Sequence, residues 1–355
     1  MDNLCISLCL MSSLWAGVWA VGLLVLGLVL LDVWRLGPSP NHTLRSLLEQ
    51  YAIARLAVLL GTVFRLRYNR LARACRRTQE DVLMDILTRN KHTAFHKDHK
   101  LDAVQTVKEY RRVMPLTSYN DYVTYVERVT EKGELDVMFP GECKFVAYTS
   151  GTTSGKSKGF PKDVNRLLRT MSSYCLIAFK TMFQVPGGDL LLKHVFITTK
   201  AKAFRSNSGI ECGPISLLTY NKSYPSYMTS PKLDISTEHE SMYVHLVFAL
   251  ADKYVSLVST VVSINMLTFM AVLEEHWREI CDDIERGTLN GDIAQRIEPP
   301  DMAIINKRLQ KHPERAEELR AIFRKGFKDV IPKIWPRCRA LLASKTGVFA
   351  TAVIT

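Results

Sequence analysis

The sequence predicts an α/β fold of layered sheets and helices, set behind an N-terminal transmembrane helix. Three observations carry this. Short β-prone runs alternate with helical patterns through the second half of the chain. One run, Lys144-Phe145-Val146-Ala147-Tyr148, leads into a loop of glycines, hydroxyls and lysines. Finally, no charged side chain occurs over residues 3–31, and that is enough apolar chain to cross a bilayer.

Residues 14–31 form the apolar core of the first element, with Trp15, Trp19 and Trp34 placed for the two interfaces. A cleaved signal peptide would want a basic start, but only the acid Asp2 precedes the run. A buried soluble helix fits the length and terminal position less well. Beyond the run come Arg35, Arg45, Arg55, Arg65, Arg67, Arg70, Arg73, Arg76 and Arg77, and Glu49 is the single acid over residues 36–79. The positive-inside rule then predicts a single-pass protein with its C-terminal domain in the cytosol. The endoplasmic reticulum is the default membrane. The sequons Asn41-His42-Thr43 and Asn221-Lys222-Ser223 would stay bare there.

Pro38-Ser39-Pro40-Asn41 reads as a linker. Residues 44–77 read as one long basic helix, with Leu48, Tyr51, Ala52, Arg55, Leu59 and Val63 near helical spacing. The stretch 51–64 is too short, and too interrupted by Arg55, to span a membrane. Two placements stay open for it: along an anionic membrane surface, or packed as an ordinary helix. The expected division is an anchor at 1–35, a basic linker and helix at 36–78, and one α/β domain at 79–355.

The formal charge is +12, much of it in this arginine-rich segment. Its place beside an apolar span, without interleaved stacking aromatics, argues against a nucleic-acid partner. Eight cysteines are scattered with no Cys-x-x-Cys pair, so no zinc or other metal site is expected and reduced thiols are the default. Roughly 320 residues follow Arg35, enough for one large or two modest cores.

The chemistry-bearing stretch is Thr149-Ser150-Gly151-Thr152-Thr153-Ser154-Gly155-Lys156-Ser157-Lys158. Gly151 and Gly155 let backbone approach an anion. Thr149, Ser150, Thr152, Thr153 and Ser154 offer hydroxyls, and Lys156 and Lys158 offer charge. A Walker A loop needs Gly, four residues, then Gly-Lys-Ser/Thr; Ser150 stands where the first glycine should be. A plain surface loop is the other alternative. Around it, the patterns predict a helix at 164–183, strands at 190–199 and 254–263, and helices at 238–251, 267–284 and 315–323.

The residue order resembles the phosphate loop of acyl-adenylate-forming enzymes, in the variant of the plant auxin-responsive (Gretchen Hagen) acyl acid amido synthetases and their animal relatives. Further stretches are similar to that family: residues 79–95 to its first helix, Met114-Pro115-Leu116-Thr117-Ser118-Tyr119-Asn120-Asp121-Tyr122 to its Pro-Leu-x-x-Tyr-x-x-Tyr segment, and the block from His276-Trp277-Arg278-Glu279 to Gly287-Thr288-Leu289. The resemblance covers about residues 79–350. It implies the large N-terminal domain of the adenylating fold, with ATP and Mg²⁺ as cofactors. Small carboxylic acids and amino acids would be the substrates, joined through an acyl-adenylate. It implies ATP-phosphate contacts from the loop, and acyl-pocket candidates Ser241, Met242, Tyr243 and His245, whose other reading is a core helix. His276 and Trp277 read as structural, and no catalytic residue is assigned.

The family's Tyr-x-x-x-Glu and Arg-x-Gly-Asp nucleotide motifs and its C-terminal cap domain are expected after Ile334-Trp335-Pro336 and are not found before Thr355. The expectation is therefore an incomplete ligase, inactive as given. The alternative is a non-catalytic, membrane-tethered nucleotide-binding or scaffold protein.

Overall fold

The computed structural model describes residues 2–149, 157–182, 191–198, 203–220, 224–289 and 291–344. In chain order the elements are α1 (Asp2–Arg35), α2 (Leu44–Arg73), α3 (Cys75–Asn90), α4 (Ala94–Asp98), α5 (Val107–Val113), α6 (Val123–Thr130), β1 (Phe145–Tyr148), β2 (Gly159–Lys162), α7 (Val164–Met182), β3 (Lys193–Ile197), β4 (Phe204–Arg205) and β5 (Glu211–Gly213). There follow α8 (Leu217–Tyr220), α9 (Glu238–Ala251), β6 (Val255–Val262), α10 (Ser263–Arg286), α11 (Gly291–Gln295), α12 (Pro299–Arg308), α13 (Pro313–Phe323), α14 (Val330–Ile334) and β7 (Ala340–Ser344). The alternation of strands and helices is the mixed α/β architecture the sequence predicts.

The chain divides into two compact units. The first comprises Met1–Ala54, Phe183–Thr198 and Pro225–Thr355. Its sheet is parallel, ordered β3-β6-β7, with Val195 opposite Val258 and Val258 opposite Leu341. Val195, Ile197, Val255 and Val258 are buried, as expected for parallel strands covered on both faces. Between β3 and β6 runs α9, whose residues from Glu240 to Leu250 are all buried. A helix apolar on every side belongs inside a core, and α9 packs there with Met266, Phe269, Leu273 and Ile280 of α10 and Leu319 of α13.

α1 begins the first unit. Its segment Trp15–Arg35 is long and apolar enough to cross a membrane, and Trp15, Trp19, Leu23, Leu26 and Leu30 are exposed. Asp32 near its end accepts the Tyr51 hydroxyl, 2.8 Å. The segment 38–41 is no free linker: Ser39 is buried, and its N–H donates to the Leu191 carbonyl, 2.9 Å. Of the two placements for the basic helix, packing accounts for the start of α2. Ser46, Gln50 and Ala54 are buried at four-residue spacing, and Gln50 Nε2 donates to Leu192 O, 2.8 Å. α2 also contains a stretch long and apolar enough to cross a membrane.

The second unit comprises Arg55–Met182 and Thr199–Tyr224. Its sheet is mixed, ordered β2-β1-β5-β4, with β1 antiparallel to β2 and parallel to β5. Val146 and Cys212 pack with Val129, Val137 and Cys143 beneath it. Gly61 of α2 meets α7 closely: a methyl there would sit 2.7 Å from Lys180 Cβ, so only glycine fits the crossing. Residues 79–95 are two helices, not one, because Thr93 caps a new start by accepting the His96 N–H. Likewise the long basic helix ends at Arg73, and α3 starts at Cys75.

Candidate functional site

The glycine-and-hydroxyl loop joins two antiparallel strands. The sequence places a helix after it; the structure inserts β2 first, antiparallel to β1, with Tyr148 opposite Gly159. One further rung closes the bend: Thr149 N–H donates to Lys158 O, 3.1 Å, and Lys158 N–H donates to the Thr149 hydroxyl, 3.2 Å. The Ser157 hydroxyl also bonds the Thr149 carbonyl. Thr149 and Lys158 thus form a fixed neck. Ser150, Gly151, Thr152, Thr153, Ser154, Gly155 and Lys156 lie outside the described residues. The neck leaves the C-terminal end of β1, the end where open α/β sheets bind ligands.

Sequence reasoning missed the residue that braces this neck. β2 is an edge strand, and its outward backbone groups need partners. At Gly159 one side chain supplies both: the Tyr119 hydroxyl accepts the Gly159 N–H, 3.0 Å, and donates to its carbonyl, 3.1 Å. The Lys158 ammonium lies 5.5 Å from the Tyr119 ring centroid, within cation–π range. Gly159 is required from the other side too, since a methyl there would meet the Tyr148 ring at 2.9 Å. Burial raises the Tyr148 pKa, so the phenol stays neutral. The signal available in the sequence was the tyrosine-rich segment 114–122.

The four acyl-pocket candidates lie on α9 and point two ways. The Ser241 hydroxyl donates to Thr198 O, 3.0 Å, and His245 Nε2 lies 2.9 Å from the same carbonyl. That carbonyl can only accept, so Nε2 carries the proton, and Nδ1 accepts the Ser230 hydroxyl at 2.8 Å. Burial lowers the His245 pKa to about 4, which keeps the ring neutral. Ser241 and His245 therefore hold the end of β3. Tyr243 turns away, donating to Asp283 Oδ2 on α10, 2.8 Å; burial and the Asp283 charge raise its pKa. Met242 and Tyr243 are fully buried.

His276 breaks the helix it sits in, with φ −113 and ψ 16. Its Nε2 lies 3.1 Å from Nε2 of His239 and 3.7 Å from Glu275 Oε1. Among the described residues these three form a group whose ligand atoms could share one ion; a neutral pair sharing one Nε2 proton accounts for the His–His distance equally well.

A family model described as "GH3 family N-terminal domain" matches residues 66–352. The chain is 26% identical over 313 residues to an indole-3-acetic acid-amido synthetase, GH3.8, of Oryza sativa subsp. indica, covering 84% of this chain and 51% of that protein. It is 28% identical over 291 residues to the indole-3-acetic acid-amido synthetase GH3.2 of Arabidopsis thaliana, covering 78% and 52%. Among solved structures it superposes on the GH3.15 acyl acid amido synthetase with a TM-score of 0.72 at 21% identity, over 82% of this chain and 52% of that one; at that identity the likeness is one of fold. The chain spans about half the length of the curated relatives it matches. With most of its residues inside the matched domain, and in the order the loop and its flanking blocks anticipated, the chain belongs to the GH3 family.

Proposed function

We propose that this chain carries the ATP-phosphate and acyl-binding half of an ATP-dependent acid–amino acid ligase. The observation that supports the reading is the braced neck between Thr149 and Lys158 at the C-terminal end of β1. ATP is a substrate of this chemistry. A carboxylate oxygen attacks the α-phosphorus, forming one P–O bond while pyrophosphate leaves. An amine then attacks the acyl carbon; the C–N bond forms, AMP leaves and the amine loses a proton. The acid needs no base, being ionised near neutral pH. The loop's work is to hold the triphosphate in line and balance the charge that builds on the leaving pyrophosphate. The described neck offers hydroxyls and the Lys158 ammonium but no carboxylate, so it fits polyphosphate and not a resident Mg²⁺. In this reading the ion enters with the nucleotide.

Lys156→Ala with Lys158→Ala is expected to abolish ATP binding by the full chain. Tyr119→Phe should weaken it about tenfold by freeing the neck. Equilibrium titration with ATP checks both, and wild-type affinity in the lysine double variant would remove the loop from the site. A second reading is nucleotide binding without turnover. Acid-dependent ATP–pyrophosphate exchange decides between them: exchange supports the ligase, and ATP binding without exchange supports the second reading.

In the same reading α1 is a single-pass anchor, in the endoplasmic reticulum by default, with the rest of the chain cytosolic. What supports it is the exposed apolar stretch Trp15–Arg35 followed by arginines. The chain should stay with membranes through alkaline carbonate extraction, and Asn41 should carry no glycan. Release into the carbonate supernatant would overturn the anchor, and a glycan on Asn41 would reverse the topology.

A further inference from the structure

The geometry points to a second anion site, in the first unit and separate from the phosphate loop, that takes a multiply charged phosphate ester. A cavity of about 670 Å³ opens among the start of α2, the first residue of β3, the end of α9 and the end of α12. Four cations line it: Arg45, Lys193, Lys307 and Arg308. They face one carboxylate, Asp252, which is already occupied in accepting the Tyr254 N–H at 2.7 Å. His42 and His312 also line it. His42 is held by Ser46 Oγ at 2.9 Å and Leu191 O at 2.8 Å, and burial lowers its pKa.

Lys193 is the telling residue. It is only 7% exposed, yet it lines the cavity. Burial pulls its pKa below the usual lysine value; Asp252 raises it in part, and Arg308 lowers it further. Among the described residues none of the four cations makes an ion pair or a side-chain hydrogen bond. Phosphate oxygens are the natural complement of such a cluster of cations, through charge-assisted hydrogen bonds. The volume is that of a small-ligand site and exceeds a single phosphate.

Two facts separate this cavity from the family's chemistry. It sits at the amino end of β3, whereas nucleotides bind at the carboxyl ends of strands. Its wall at residues 40–46 also precedes residue 66, where the family match begins. The cavity lies close to the apolar helix: Pro40 lines it, and Asp32 in the last turn of α1 bonds Tyr51 of α2. The ester can therefore come from a phospholipid headgroup or from a soluble phosphorylated polyol.

The test is titration of the full chain in detergent with inositol trisphosphate. Saturable binding is expected, weakened by salt. It should weaken at least about tenfold in Arg308→Gln, an exposed position, and similarly in Lys193→Met. If Lys193→Met fails to fold, Arg308→Gln and Arg45→Gln still decide the matter. The loop variant Lys156→Ala/Lys158→Ala should bind inositol trisphosphate normally, and Arg308→Gln should bind ATP normally, so failure here and failure of the ligase reading are distinguishable. Repeating the titration in neutral nanodiscs and in nanodiscs doped with phosphatidylinositol bisphosphate identifies the source. Competition by the doped lipid assigns the headgroup, and equal affinity assigns a soluble ester. Absence of saturable binding, or unchanged affinity in the cavity variants, overturns the site.

Discussion

Trp335→Ala is expected to cost about 3–5 kcal/mol of stability, the range for truncating a large buried aromatic. Trp335 is 1% exposed and belongs to the core around α9. Its loss would remove more than packing. The last carbonyls of a helix have no partners within it, and the end of α9 is buried. The Trp335 indole N–H lies 3.0 Å from both Ala249 O and Asp252 O. Arg315 completes the arrangement, giving Nε to Leu250 O at 2.9 Å and a terminal nitrogen to Ile334 O at 2.7 Å. Trp335→Phe separates the two contributions: it keeps most of the volume and strands the carbonyls, and should cost about 1–3 kcal/mol. Chemical denaturation of the full chain measures both. A loss below about 1 kcal/mol for the alanine variant would mean that α9 is capped some other way.

The same α9 shows what the sequence could and could not reveal. Its bounds, 238–251, are those read from the pattern, because the largely apolar stretch from Met242 to Ala251 is long enough for one buried helix. The strands at β3 and β6 were legible for the same reason. β2 was not: Gly159-Phe160-Pro161-Lys162 carries a glycine and a proline, tolerable only because the strand lies at a sheet edge. β5 has three residues and exists by pairing with β1 across the fold. Within the candidate site, the loop composition announced an anion, but the brace at Tyr119 lies forty positions away from Gly159, and the tyrosine-rich segment 114–122 does not say what it braces. Lys193 read only as part of a strand at 190–199. Its burial among other cations follows from where α2 begins and where α9 and α12 end, which is tertiary information. His276 likewise sits in a block that reads as ordinary helix, yet it takes a non-helical conformation beside His239.

Mild acid should unfold the first unit well before its carboxylates titrate. Burial lowers both His194 and His245 to about 4 from an ordinary value of 6.5. For His194 the nearby His42 and Lys193 push the same way, and Gln50 Nε2, 3.5 Å from its Nε2, faces a ring atom that protonation would turn into a donor. His245 is fixed as the neutral tautomer between Thr198 and Ser230. The folded state refuses a proton that the unfolded state accepts at 6.5. The stabilisation is therefore complete above 6.5 and is lost as pH falls from 6.5 towards 4. Each ring contributes about 3 kcal/mol across that window, so two together give a slope approaching about 2.7 kcal/mol per pH unit. The lowered carboxylates Glu240 and Glu318 act with the same sign but only below the ordinary glutamate range. Thermal midpoints recorded from pH 7 to 5 should therefore drop steeply in wild type. The drop should flatten in His194→Gln/His245→Gln, even if that variant starts lower. Equal midpoints at pH 7 and 5 in the wild-type chain would show that these two imidazoles are not kept neutral by the fold.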